Sequence, residues 1–444
     1  MARRKAAAAR KANPSKVADA PSLCHDLPTD VLLNIHDRLG PIDRFAFAAV
    51  INASCEDDVI KPCPYSPWLL LPGKTTETLE LVSITDERRF IVSARSPALR
   101  GHLVLGSSGV RIATVDVRGQ IYLVNLATGD QHELPHISTT GLFRQFMQCG
   151  FYLAVQDLMR ARYGGHYPGP DVYGSTYTFS SDQMRMYCYR KVVLSASPSP
   201  GSYAAMLIMH QTISAPAFAT AEDPAWRLAP SPDGVEDAVH HDGQFYSLSY
   251  KGVVEAWERD SESGAYTATA VAPRLTVGEN EDGTASSCSK YLAVGPGGRL
   301  MVVLKYPTVT RERHGQDRWP CSFKVHVLGD NGQYWKEVTD IGDVALFVGV
   351  NNSVCLPTTE WPQIKAGCVY FTGDGLDRGA LYRSYGIHND PGDLRAVGLY
   401  NLKDGGVKKI EGVGHLGRSF YTPPAWIMCS SRDTFELVRF FSYC

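Results

Sequence analysis

The feature that most constrains this chain is a strand–turn–strand pattern that returns along most of its length. "GVRIATVDVRGQIYLVNLATGDQHELP", Gly109 to Pro135, alternates apolar and polar residues, turns at Arg118-Gly119, resumes, and turns again at Thr128-Gly129-Asp130. The pattern recurs with turns at Asp242-Gly243 and Lys251-Gly252, at Gly297-Gly298 and Asn331-Gly332, and at Asp404-Gly405-Gly406. Alternation with period two puts one side of each strand in a core and the other toward water. Hairpins repeated this often need a way to bury their sheet faces and limit their open edges. Successive four-stranded blades of a β-propeller do both, and imperfect strand copies such as Tyr122–Leu126, Val254–Trp257, Val325–Leu328 and Val397–Leu402 fit outer blade strands. A pair of β-sandwiches or a β-solenoid is the structural alternative. The expected class is mainly β, with a propeller over 65–444, and "FELVRFF", Phe435 to Phe441, is expected to complete the ring beside the first strands.

Before residue 65 the period changes. Val31, Leu32, Ile35 and Leu39 recur at helical spacing, Pro28 suits a first turn, Asp30 complements the helix dipole, and Gly40-Pro41 stops the element. A second apolar pattern follows through Ile42, Phe45, Ala49 and Val50. Helices this short are marginal alone, so they must pack on the chain or on a partner.

Composition narrows the function. The chain is 44% hydrophobic and 20% charged with a formal net charge of −2, which argues against nucleic acid as principal partner. No apolar run approaches the roughly 20 residues that cross a bilayer, so no membrane role is expected. Eleven cysteines are scattered without a CxxC pair, as expected for reduced thiols in an intracellular compartment, and they argue against zinc. Arg3, Arg4, Lys5, Arg10, Lys11 and Lys16 precede the first acid, Asp19. Residues 1–22 thus read as a solvated, disordered basic tail, with a nuclear-targeting patch and an organelle transit peptide as the other readings.

Two matches to catalytic motifs fail on context. "HELPH", His132 to His136, has the zinc-protease spacing, but Pro135 lies inside the required helix. "GVGHLG", Gly412 to Gly417, runs toward Pro423-Pro424 with no room for a phosphate-binding helix. No phosphate loop, nucleophile elbow or paired-carboxylate arrangement stands out. No catalytic residue, metal or cofactor is expected. Two stretches, Met159 to Arg185 and Tyr306 to Pro320, are too rich in Pro, Gly, Tyr and charge for strands and read as long loops. Tyr163, Tyr167, Tyr173 and Tyr177 in the first, with Arg311, Arg313 and Trp319 in the second, are residue types that anchor protein interfaces and are the candidate target-binding residues. Plain surface loops are the alternative.

The segment "DLPTDVLLNIHDRLGPIDRFAFAAV", within 23–60, resembles an F-box, the helical module that docks on the Skp-type adaptor of cullin–RING ubiquitin ligases. It keeps Leu27-Pro28, Asp30, the Val31-Leu32-x-x-Ile35-x-x-x-Leu39 ladder and Asp43. The positions where the family carries Cys, Trp and Arg hold Ile51, Ser54 and Cys55. The body resembles the plant family in which an F-box precedes a KIB-type β-propeller. "SPWLLLP" (Ser66 to Pro72), "VNLATGDQHELP", "DIGDVALFVGVNNSVCLPTTEWPQIKAGCVYFTGD" (Asp340 to Asp374) and "YTPPAWI" (Tyr421 to Ile427) carry that likeness in order. It implies a plant source and a non-catalytic substrate receptor of a Skp–cullin–F-box ligase, in nucleus or cytoplasm. Leu27, Pro28, Val31, Leu32, Ile35, Leu39, Ile42 and Phe45 would meet the adaptor, through it the cullin, and the propeller would hold an unknown target protein. The changed residues at 51–55 support a second reading, a propeller binding module with a decayed F-box.

Overall fold

A computed structural model describes residues 27–38 and 47 and, between 67 and 428, all but short stretches; the longest of these are 165–174, 278–287, 308–320, 374–396 and 411–422. The chain divides into two compact units, 1–62 and 63–444. In the first, helix α1 spans Thr29–Arg38, with Asp30 in its first turn and the Pro28 carbonyl accepting from the N–H groups of Val31 and Leu32 at 3.0 and 3.1 Å.

The second unit is a propeller. Its described strands form seven sheets. Trp68–Pro72, Thr78–Ser83 and Arg89–Ser93 belong to the first; Leu103–Ser108, Arg111–Val115, Ile121–Asn125 and Gln131–Glu133 to the second. The third has three strands, Phe143–Phe146, Gly150–Ala154 and Thr176–Ser180. The fourth and fifth begin with Tyr189–Leu194 and Val235–His241, and the sixth with Ser289–Val294; each has four strands in chain order. The seventh has five and includes one parallel pair, Val344–Val348 against Cys368–Phe371.

The turns behave as their residues demand. Gly119, Gly129, Gly252, Gly332 and Gly405 all have positive φ. At Asp242-Gly243 both residues do (47° and 80°), as a two-residue hairpin matching the strand twist requires. Ring closure comes from Ala425–Ile427, which pairs antiparallel with Trp68–Pro72 through Trp68↔Ile427, Leu69↔Trp426 and Leu70↔Ala425. The strand beside the first is therefore this one; Phe435 to Phe441 lies outside the described residues.

The first strands of the second and fourth sheets lie side by side. Gly106 makes this possible, since a Cβ there would stand 2.0 Å from the Val192 carbonyl oxygen. Ser108 Oγ also donates to the Ser195 carbonyl at 3.0 Å. The third sheet is thus set back from the inner ring. It contributes Phe143, Phe151 and Leu153 to a core shared with Leu123 of the second sheet and Leu207 of the fourth. Gly106→Ala is expected to force these backbones apart and lower unfolding stability by about 1–3 kcal/mol in urea titration; an unchanged midpoint would contradict the direct contact.

Met159 to Arg185 is not one long loop. Helix α2, Val155–Tyr163, ends at Gly164 in the left-handed conformation and buries Val155 and Leu158. Helix α3, Ser181–Tyr187, follows the edge strand directly and is opened by a capping box between Ser180 and Gln183. Tyrosine and glycine density in this stretch obscured both signals.

Candidate functional site

Three regions carry chemistry that a partner could meet. On α1, residues four apart share a side, and the helix has apolar residues on more than one side. Leu32, 3% exposed, and His36 are buried; Leu27 and Val31, 44% and 38% exposed, and Leu33 face water. Ile35 is half-buried and Pro28 exposed. Leu39, Ile42 and Phe45 lie outside the described residues. The expected ridge is therefore divided between a buried anchor, Leu32, and exposed apolar residues on other sides.

The second region is the hub of the propeller. The first strands of the second, fourth and fifth sheets each carry a bulge, at Leu105, Arg190 and Glu236. In the fourth and fifth sheets the bulges bring charged side chains together at the ring's inner face. Lys191 Nζ donates to Asp237 Oδ1 at 2.5 Å, with both side chains almost fully buried. Asp237 Oδ2 accepts from the Leu292 N–H at 2.9 Å and from Ser353 Oγ at 3.1 Å. Glu236 accepts from Lys290 through Nζ at 2.8 Å and through its N–H at 3.0 Å. Asn352 crosses to the fourth sheet, where its side chain accepts from the Leu194 N–H and donates to the Leu194 carbonyl, and its own N–H reaches the Ser107 carbonyl of the second. The Asn351-Asn352 turn is thus an internal tie. Each of these charges has a partner among the described residues, so the network braces the ring.

The third region is the three-stranded sheet. Arg144, Tyr152 and Thr178 are cross-strand neighbours on one face, and the Arg144 guanidinium lies 6.0 Å from the Tyr152 ring centre. Phe146 packs beside Tyr152 with ring centres 6.4 Å apart. Tyr177, 57% exposed, is on the edge strand, while Tyr163 ends α2, half-buried, with Arg162 over its ring at 5.7 Å. Of the candidate target-binding residues, these two belong to one sheet and its helix. Tyr167, Tyr173, Arg311, Arg313 and Trp319 lie outside the described residues. Phe146, Tyr152 and Arg144 were missed, and "FRQF" has no period-two alternation that would have singled them out.

Titratable groups elsewhere do not form a reactive set among the described residues. His132 lies on the strand Gln131–Glu133, and His136 caps the following turn, accepting from the Ser138 N–H. The "HELPH" segment is therefore not helical, and among the described residues no group of three or more His, Cys, Asp or Glu is placed to hold a metal. Burial pushes the thiols of Cys188 and Cys355 up, the latter to about 12, which leaves little thiolate at neutral pH. Burial, together with the nearby Asp233 charge, raises the Glu255 carboxyl despite a hydrogen bond from Ser247. Burial also opposes ionisation of Asp223, but hydrogen bonds from Arg227 and Thr220 and the charge of Arg259 hold it below the usual carboxylate range. These arginines line a polar cleft of about 290 Å³ with Glu222, Asp260 and Glu262, a mixture of signs that favours no single class of ion. No helix among the described residues is long and apolar enough to cross a membrane.

Comparison with known proteins follows this geometry. Residues 81–401 match the model of the KIB1-4 beta-propeller family, a range that begins after the F-box-like segment. An F-box protein of Arabidopsis thaliana, SKIP23, is 22% identical over 227 residues, covering 47% of this chain and 50% of that protein. The chain thus spans about half the length of that curated relative. Among solved structures, the Malassezia sympodialis allergen Mala s 1 is 11% identical with a TM-score of 0.29, covering 80% of this chain and 91% of the other. The N-terminal domain of Nup159 is 8% identical with a TM-score of 0.28 and 63% coverage of each chain. These two likenesses carry no argument about function. The family match spans well over half of the sequence, and with it the chain belongs to the KIB1-4 beta-propeller family.

Proposed function

We propose that this protein is the substrate-receptor subunit of a Skp–cullin–F-box ubiquitin ligase. Residues 23–60 would engage the Skp-type adaptor, and through it the cullin, while the propeller over 65–444 holds a target protein. The observation that carries this reading is the exposed apolar pair Leu27 and Val31 at the start of the helical segment, upstream of a family propeller. The name of the curated relative, an F-box protein, supports it. The chain itself performs no chemistry on this reading. It raises the concentration of a target lysine near the charged conjugating enzyme, in the nucleus or cytoplasm.

Leu27→Asp with Val31→Asp tests the assignment at residues whose exposure spares the fold. Recovery of the Skp adaptor by immunoprecipitation is expected to fall by about tenfold or more, because two carboxylates would have to be desolvated in an apolar contact. Unchanged recovery would remove these residues from the interface. A second reading, a binding module that occupies its partner without ubiquitin transfer, is favoured by Ser54 at the family's tryptophan position. Wild-type chain that captures a partner through its propeller but recovers no adaptor would establish it.

A further inference from the structure

Of the ten asparagines in the chain, Asn331 alone precedes a glycine. It sits at the tip of the hairpin that joins Cys321–Leu328 to Trp335–Val338, the outer strand of the sixth sheet, and it is exposed. The Gly332 N–H donates to the Gly329 carbonyl at 2.8 Å, and Gly332 has φ 68°. The Gly329 N–H donates to the Tyr334 carbonyl at 2.9 Å, and Asn331 Oδ1 accepts from the Gln333 N–H at 3.1 Å. Each of these bonds stays within 329–334, so a small opening at the tip breaks them without disturbing the sheet.

Asparagine is a thermolabile residue, and its neighbour decides how quickly it fails. The next backbone nitrogen, having lost its proton, attacks the side-chain carbon Cγ. A Gly332 N–Cγ bond forms, the Cγ–Nδ2 bond breaks, and ammonia leaves, giving a five-membered imide. Water then opens the imide at either carbonyl and leaves aspartate or isoaspartate. One water is consumed and one ammonia released, and no oxidant or reductant is needed. Glycine presents no Cβ to obstruct the approach. Asn352 is the contrasting case. It precedes the small Ser353, but its side chain accepts from the Leu194 N–H and donates to the Leu194 carbonyl, which holds Cγ in the hub.

We propose that Asn331 is a site of spontaneous deamidation, and that isoaspartate there loosens the outer strand of the sixth sheet. The inference does not depend on ligase membership. Isoaspartate routes the main chain through Cβ and Cγ, adding one carbon between Cα of residue 331 and the Gly332 nitrogen. The Gly332 N–H then no longer meets the Gly329 carbonyl. A new carboxylate also stands beside Asp330, whose one printed ion pair, with Arg299 at 2.6 Å, is between well-exposed side chains. The first ladder pair beyond the tip is Leu328↔Trp335, and the Trp335 indole N–H donates to the Pro273 carbonyl at 2.7 Å. Loosening at the tip therefore reaches a contact with the segment that follows the fifth sheet.

The test ages the full chain in neutral and mildly alkaline buffer and follows each asparagine by peptide mass spectrometry. Conversion at residue 331 is expected to be at least about tenfold faster than at any other asparagine, and to rise in proportion to hydroxide. Methyl transfer from S-adenosylmethionine by an isoaspartyl methyltransferase is expected to label the peptide that contains residue 331. Hydrogen exchange in Trp335–Val338 of the aged protein is expected to quicken about tenfold, with Tyr291 to Val294 unchanged. Asn331→Gln, which would need a less readily formed six-membered ring, is expected to abolish both the label and the quickening. No conversion at 331, earlier conversion at Asn352 or any other asparagine, or a rate indifferent to pH would each overturn the site. Equal exchange before and after conversion, or the same quickening in aged Asn331→Gln, would overturn its effect on the strand.

Discussion

Asp237→Ala is expected to cost about 3–5 kcal/mol of unfolding free energy in urea or thermal denaturation. The carboxylate is buried and accepts three hydrogen bonds, from Lys191, the Leu292 N–H and Ser353. Alanine leaves the Lys191 ammonium, whose side chain is 4% exposed, without its counter-charge, and strands an amide and a hydroxyl. Most of the loss comes from that uncompensated charge, so the double substitution Lys191→Met with Asp237→Leu is expected to recover all but about 1–3 kcal/mol, the residue due to the two unpaired donors. A cost below about 1 kcal/mol for Asp237→Ala would show that the hub is not what holds the fourth, fifth and sixth sheets together.

Trp426→Ala is expected to have an effect of the same size, about 3–5 kcal/mol, for a different reason. The indole is fully buried and meets Phe347 edge-on at 5.3 Å and Tyr370 at 6.2 Å between ring centres, joining the closing strand to the seventh sheet. Its carbonyl accepts from Ser107 Oγ of the second sheet at 2.7 Å. Alanine would leave a cavity where three sheets meet, and hydrogen exchange in Trp68–Pro72 is expected to quicken as the closing pair opens. Trp426→Phe should be far milder. It keeps an aromatic ring in the site and removes Nε1, which has no hydrogen-bond partner among the described residues. If alanine and phenylalanine behave alike, closure rests on the backbone ladder and not on the ring.

Local chemistry determined what could be read in advance. Turns at Gly119, Gly252 and Gly405 were legible because positive φ restricts the residue that can stand there. Val344–Val348 was legible as a strand buried on both faces because it has no polar residue. The hub was not legible. Lys191 and Asp237 are 46 residues apart, and Asn352 meets Leu194 across 158, so nothing in either neighbourhood marks them as partners. The closing strand is only three residues long, too short to outcompete the more strand-like Phe435 to Phe441 in a reading by pattern. Among candidate site residues, Tyr163 and Tyr177 were singled out by residue type alone, with nothing in the sequence to show that one sheet and its helix carry both. The geometry of their sheet, three strands among the described residues, depends on pairings that pattern does not reveal.

The pairing of Trp68–Pro72 with Ala425–Ile427 sets an order of events on the ribosome. The opening strand leaves the exit tunnel early and waits for its mate until nearly the whole propeller has been translated, a delay of roughly 20–70 s at ordinary elongation rates. Through that interval the apolar strand WLLLP can pair with Thr78–Ser83 on one edge, while its other edge stands open. Anything that cuts translation short before codon 425 leaves it so, which makes this strand a natural handle for chaperones and for quality control.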